Sequence, residues 1–165
     1  MSVQLRRLAV DDYDTVIGAV DEWWGGRPMA VMLPRFFFAH FQPTSFAAEE
    51  DGRLLGFLVG FRSQTEPAQA YIHFVGVDPA ARGRDIGRRL YERFFATACD
   101  LGCREVLAVT APINSGSIAF HARMGFAPLP GLATTPAGVP YTLDYDGPRE
   151  DRVRFRRTLP DPGGE

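Results

Sequence analysis

The segment Val77-Asp78-Pro79-Ala80-Ala81-Arg82-Gly83-Arg84-Asp85-Ile86-Gly87-Arg88-Arg89-Leu90 runs from an apolar strand through a glycine-containing turn into an amphipathic helix. Such a turn aims unpaired main-chain N–H groups at one point, with the positive end of the helix dipole behind them. The chemistry this favours is the binding of a phosphate. Gly83 and Gly87 let the main chain come close to it, and Arg82, Arg88 or Arg89 add positive charge. A nucleoside-triphosphatase loop would need a Lys to reach the outer phosphates. All 18 basic residues are Arg, which excludes that loop and Schiff-base chemistry with it.

Two further groups of residues can move protons or hold a ligand. The strand Ala70 to Val77 enters the turn, and alternation puts Tyr71, His73, Val75 and Val77 on one face. Imidazole titrates near neutrality without a large shift, so His73 is either the proton acceptor of a reaction or a hydrogen-bonded ring in the core. The second group is Asn114-Ser115-Gly116-Ser117-Ile118-Ala119-Phe120-His121-Ala122-Arg123-Met124-Gly125-Phe126. There Asn114 or Ser117 can cap a helix, His121 can donate a proton or only a hydrogen bond, and Phe120 and Phe126 read as core. Cys99 and Cys103 lack the partners of a zinc site. Both are expected as free thiols, with no metal.

These residues must be positioned by a chain of 165 residues that is 45% hydrophobic. That is enough for one globular domain over 1–165, with a core from about 3 to 159 and a flexible tail at 160–165. A formal charge of −2 and a pI near 5.9 give no basic field, so neither nucleic acid nor an anionic membrane is an expected partner. No apolar run is long enough for a bilayer and no secretory h-region follows Met1, so a cytoplasmic protein is expected. The use of Arg over Lys marks a GC-rich bacterial genome.

Val3 to Ala9 reads as a strand. Asp11 is the expected cap of a helix whose apolar face is Tyr13, Val16, Ile17, Val20 and Trp24, stopped by Gly25-Gly26. A second helix starts at Met29 or Pro34 and ends at Phe41. Strands at 45–50 and 53–62 flank the hairpin dipeptide Asp51-Gly52. After the phosphate turn, Ile86, Leu90, Phe94, Phe95 and Ala98 mark a helix face. A strand at 104–110 and a helix at 115–124, ended by Gly125, follow. A loop at 130–140 leads to strands at 141–145 and 151–158. The order β-α-α-β-β-β-α-β-α-β-β is mixed α/β (α+β) with a mainly antiparallel front half, which disfavours a doubly wound sheet.

Arg82-Gly83-Arg84-Asp85-Ile86-Gly87 resembles the Arg/Gln-x-x-Gly/Ala-x-Gly/Ala pyrophosphate loop of the GNAT (Gcn5-related N-acetyltransferase) family, matched at Arg82 and Gly87. Asp85 stands where the family has its first Gly or Ala, so its carboxylate must point away from the phosphates. Residues 114–126 are similar to the family's Asn-x-x-Ala/Ser-x-x-Φ-Tyr-x-x-x-Gly-Phe segment, with Φ apolar and His121 in the place of the Tyr. The two segments, in this order with a strand between them, carry the resemblance. It implies a GNAT-like mixed sheet flanked by helices, acetyl-CoA as cofactor, and acetyl transfer to a primary amine by direct attack.

The resemblance also implies roles. The main-chain N–H groups of Arg84, Asp85, Ile86 and Gly87 would hold the pyrophosphate. A bulge near Val75-Gly76-Val77 would open the sheet for the pantetheine arm, and the Val75 N–H would polarise the acetyl carbonyl. Tyr71 falls where many members carry a Glu. His73 falls where arylalkylamine acetyltransferases carry a His, which makes it the expected base, directly or through water. His121 takes the position of the general acid, and Asn114 and Ser117 that of contacts to the cofactor arm. The acceptor side would include Trp23, Trp24, Arg27, Tyr141 and Tyr145. Two adjacent Trp are not expected to face one core, so at least one should line a pocket or a subunit contact. Arg27 would select a carboxylate or phosphate on the acceptor, whereas Glu22, Asp144 and Asp146 would select a cation; the sequence leaves both open. Arg152 to Arg157 read as an edge strand, solvated or at a homodimer seam. The competing function is a non-catalytic acyl-CoA-binding regulatory module, favoured by Asp85, by His121 and by the missing strand Glu.

Overall fold

Along Arg53–Arg62 and Gln69–Val77 apolar side chains point to both sides of the main chain, so a sheet built on them needs a covering layer on each face. The computed structural model, which describes residues 2–161, has that build. Its elements are β1 (Gln4–Arg7), α1 (Asp12–Trp23), α2 (Phe36–His40), β2 (Phe46–Glu50), β3 (Arg53–Arg62), β4 (Gln69–Val77), α3 (Ile86–Asp100), β5 (Glu105–Thr110), α4 (Ser115–Arg123), β6 (Ala127–Pro128), β7 (Ala133–Thr134), β8 (Pro140–Tyr141) and β9 (Val153–Thr158). Seven strands form one sheet in the order β1-β2-β3-β4-β5-β9-β6. Among the described residues only β4 and β5 of this sheet run parallel. This is the expected mixed, mainly antiparallel α+β class. On one face Leu58 and Ile72 meet Ile86, Leu90 and Phe94 of α3. On the other, Phe57, Val59 and Phe74 meet Val16 and Val20 of α1 and Phe38 of α2.

The β2–β3 turn is the expected hairpin, with Asp51 and Gly52 both left-handed at φ 52° and 76°, the geometry that matches strand twist. Elsewhere the details differ. Asp11 makes no side-chain cap on α1; Asp12 does the anchoring instead, accepting Ala9 N–H and both terminal nitrogens of Arg6 at 2.8 Å. The expected strand at 141–145 shrinks to β8, because turns held by Asp144, Asp146 and Asp151 take over after a single bridge between Thr142 and Arg152. The short β6 is not among the expected strands; one containing Pro128 is tolerated because it lies at the sheet edge. Of the expected tail, residues 162–165 lie outside the described residues, and Asp161 pairs with Arg104.

The sheet opens at its middle. β4 pairs with β5 only at Gln69↔Glu105, Ala70↔Val106 and Tyr71↔Leu107, after which the two strands part. The bulge beside this opening is not at Val75-Gly76-Val77, which stay in register with Leu58, Phe57 and Gly56. It is at His73, because Ile72 pairs with Gly60 and Phe74 with Val59, leaving His73 as the extra residue. The bulge also breaks the alternation. Ile72, Val75 and Val77 join the α3 side and Phe74 the α1 side, so Tyr71 and His73 do not share a face with Val75 and Val77.

Candidate active site

A groove of about 940 Å³ runs from the end of α1 past the C-terminal half of β4 to α4. Its floor is the turn before α3. The first helical hydrogen bond there is Arg89 N–H to Asp85 O at 2.9 Å. Among the described residues, the N–H groups from Gly83 to Arg88 meet no acceptor. A run of free donors at a helix N-terminus is an anion site. Gly83 is left-handed at φ 81°, and Asp85, at φ 59°, holds the residue before the helix without using its carboxylate as a cap. Asp tolerates this conformation better than most side chains.

β4 contributes main chain. Asp78 N–H bonds to Leu55 O on β3 at 2.8 Å; strand alternation then turns the N–H and C=O of Val75 and Val77 the other way, into the gap left by β5. Val75 and Val77 line the groove. At Gly76, a Cβ would lie 2.6 Å from Phe57 and 3.1 Å from Trp24, so the glycine is there for aromatic packing rather than for a bulge.

The arginines divide. Arg82 and Arg88 line the groove, with Arg27 and Arg123. Arg84 turns away to make a two-pronged pair with Glu50 at 2.8 and 3.1 Å, so it can offer the groove only its main-chain N–H. Arg89 bonds to Val3 O at 3.0 Å. Among the described residues, Asp85 is the one acidic residue on the groove lining. Asp85→Asn keeps the left-handed conformation and removes a charge that opposes an anionic ligand. Calorimetry should find acetyl-CoA bound about threefold more tightly, the size of an exposed charge term.

Residues 4–126 match the model of the Acetyltransferase (GNAT) family. The chain belongs to the GNAT family. Among relatives, it is 34% identical over 139 residues to a mycothiol acetyltransferase of Gordonia bronchialis, covering 76% of this chain and 44% of the relative. It is 32% identical over 82 residues to an L-2,4-diaminobutyric acid acetyltransferase of Nocardia farcinica, covering 50% of this chain and 42% of that one. The chain therefore spans less than half the length of these curated relatives. Among solved structures, yncA of Salmonella typhimurium with its cofactor acetyl-CoA superposes with a TM-score of 0.69 at 17% identity, covering 100% of this chain and 98% of that chain.

In this GNAT chain the other expected site residues are distributed as follows. Asn114 is the cap of α4, its Oδ1 accepting Ser117 N–H at 3.0 Å. Its amide NH2 remains free among the described residues, and both Asn114 and Ser117 line the groove. Trp23 and Trp24 both line it, where at least one is expected to line a pocket, yet both also pack on the same cluster beneath α1, which adjacent Trp are not expected to do. Trp24 falls just past the helix, at φ −99° and ψ 24°, and that turn brings the second indole to Phe74 while the first meets Phe57. Tyr141, Tyr145, Tyr71 and His73 do not line the groove. Tyr145 lies under the Arg154 guanidinium. Tyr71 stacks on Phe61, and burial, reinforced by Tyr145 and Asp146, pushes its phenol up to about 12. A phenol so weakly acidic stays neutral and is no base.

His73 presents Nε2 to the Met32 carbonyl at 2.6 Å and stacks on Phe37 at 4.3 Å. A carbonyl only accepts, so Nε2 carries the proton. Nδ1 has no partner among the described residues and is not sealed from solvent. His121 is different. Its Nδ1 faces the Ser117 carbonyl at 2.8 Å, so it donates there, and its Nε2 takes the Tyr91 hydroxyl proton at 2.9 Å. The ring is stacked flat on Phe155 and is 5% exposed. Burial lowers its pKa, so the ring is neutral and has no N–H left to donate into the groove. His121 nevertheless lines the groove, as the resemblance implies, and its two partners match the hydrogen-bonding one of the two readings open to it. Replacing His121 by Ala should leave a cavity and an orphaned Tyr91 hydroxyl, and lower unfolding free energy in urea by about 3–5 kcal/mol.

Sequence reasoning missed Arg123, which lines the groove; Phe120 packs against the core as expected and lines the groove as well. The signal was present: Ser117, Phe120 and Arg123 follow Asn114 at helical intervals of three.

Proposed function

We propose that the chain is an acetyl-CoA-dependent N-acetyltransferase that moves an acetyl group to a primary amine of a small molecule or a peptide. The observation that carries this reading is the run of free N–H donors from Gly83 to Arg88 beside an opened β4–β5 pair. The donors, with Arg82 and Arg88, fit a diphosphate, and the Asn114 amide fits the cofactor arm. Bound acetyl-CoA supplies a thioester that an amine attacks directly, so the protein needs no nucleophile of its own. The Val75 N–H is turned to the gap where it can hold the acetyl carbonyl oxygen. His73 takes the amine proton on Nδ1, through water, since its ring faces the α1 and α2 side and not the groove. With both ring nitrogens of His121 committed to Ser117 and Tyr91, that side chain offers no proton to the groove, and a departing thiolate would be protonated by water there. Trp23, Trp24 and Arg27 guard the entrance shared by cofactor and acceptor.

Titration calorimetry with acetyl-CoA, followed by thiol release with a panel of primary amines, tests this. Binding in the micromolar range with amine-dependent release is expected. Binding without release on any amine would favour the non-catalytic acyl-CoA module, and absence of binding would end both readings.

A further inference from the structure

Asp21 occupies the last turn of α1, where a carboxylate opposes the helix dipole and no basic residue offsets it. Its partners explain its presence. Oδ1 accepts the main-chain N–H groups of both Met29 and Ala30 at 2.8 Å. Those groups open the 3₁₀ turn Ala30–Met32, and the turn ends at the carbonyl that holds His73 Nε2 at 2.6 Å. The connection between helix and turn is otherwise held by main-chain bonds, among them Met29 N–H shared with the Arg27 carbonyl at 2.8 Å, and by the packing of Met29 and Ala30 on the cluster beneath α1, so Asp21 is the side chain that ties helix end to turn. Gly25 and Gly26 are left-handed at φ 67° and 89° with open space where a Cβ would stand, and Gly26 N–H returns to the Asp21 carbonyl at 2.8 Å. Leu33, wholly buried, anchors the far side of the turn.

We infer that Asp21 is a positioning residue for His73: by holding Met29 and Ala30 it sets the Met32 carbonyl on Nε2, which keeps the proton there and the lone pair on Nδ1. The Phe37 stack fixes the plane of the ring, and Asp21, through the turn, fixes which nitrogen is basic. The catalytic meaning of this rests on the proposed use of His73 as proton acceptor; the tautomer itself does not.

Long-range proton–nitrogen spectra of the histidine rings test it on the full chain. In the unaltered protein His73 should be neutral with its proton on Nε2. Asp21→Asn, which keeps an oxygen that can accept both N–H groups, should retain that spectrum and the turnover. Asp21→Ala should give mixed tautomers, seen as convergence of the two ring-nitrogen shifts, with kcat down about tenfold and an unchanged circular dichroism spectrum. A single Nε2–H tautomer persisting in folded Asp21→Ala overturns the inference. So does a proton on Nδ1 in the unaltered protein, a result that can be read even if Asp21→Ala does not fold. The spectra require neither acetyl-CoA nor turnover, so a failure of the acetyltransferase reading shows separately in the calorimetry.

Discussion

Gly83→Val should weaken acetyl-CoA binding by about 100-fold or more while lowering the thermal midpoint by only about a few degrees. Gly83 sits at φ 81°, and no atom lies within 4 Å of where a Cβ would stand. The substitution therefore meets no steric wall, and its whole cost falls on main-chain conformation. A β-branched residue is a strong outlier at positive φ, so the turn must move to accommodate it, and the N–H groups that follow lose their common aim. A hydrogen bond from N–H to a charged oxygen is worth about 1.5–3 kcal/mol, so losing two of them corresponds to at least about two orders of magnitude in Kd. Gly83→Asn provides the control, because Asn visits the left-handed region and should bind within a few-fold of the unaltered chain. If folded Gly83→Val bound acetyl-CoA normally in calorimetry, these amides would not be the diphosphate site.

What could be read from the sequence about this turn, and what could not, follows from how far apart the partners lie. The strand, glycine turn and helix are contiguous, and the free N–H groups follow from the helix start alone. The Asp51-Gly52 hairpin was legible for the same reason. The side chain of Arg84 was not, because its partner Glu50 is 34 residues away on the β2–β3 hairpin. Nor was the bulge at His73, which exists only relative to Gly60 and Val59 on the neighbouring strand. That one extra residue reverses the facing of everything beyond it, so alternation counted along β4 alone put His73 with Val75. The choice between the two roles of His121 was hidden likewise: its position in α4 was readable, but the Tyr91 hydroxyl and the Phe155 ring that occupy it come from α3 and β9. The acceptor side was the least legible, since Tyr141 and Tyr145 belong to turns fixed by scattered aspartates rather than to a strand.

The second large effect concerns His73. A Gln side chain in its place can still donate to the Met32 carbonyl but has no titratable nitrogen, so the turn above it should hold while kcat falls about 100-fold, the lower range for loss of a general base. The KM for acetyl-CoA should stay within about twofold, because His73 is not on the groove. Burial lowers the pKa of His73, opposed in part by the bond to the Met32 carbonyl and by the charge of Asp146. The ring is thus neutral at pH 7, and kcat should be level from neutral to alkaline pH. It should fall only as pH drops below the ordinary histidine range near about 6.5, and the substitution His73→Gln should abolish that acid limb. Stability must be separated from this. His73 and His121 both have lowered pKa values in the fold, so the unfolded chain binds protons more readily than the native one as pH falls. Their contribution is complete above the unfolded value and is lost as pH falls through the folded one, so the thermal midpoint should decline in acid as well. Rates are therefore to be compared only at pH values where circular dichroism is constant. If His73→Gln retained kcat within about threefold under those conditions, water would suffice as proton acceptor, and the bulge at His73 would serve only to open the sheet.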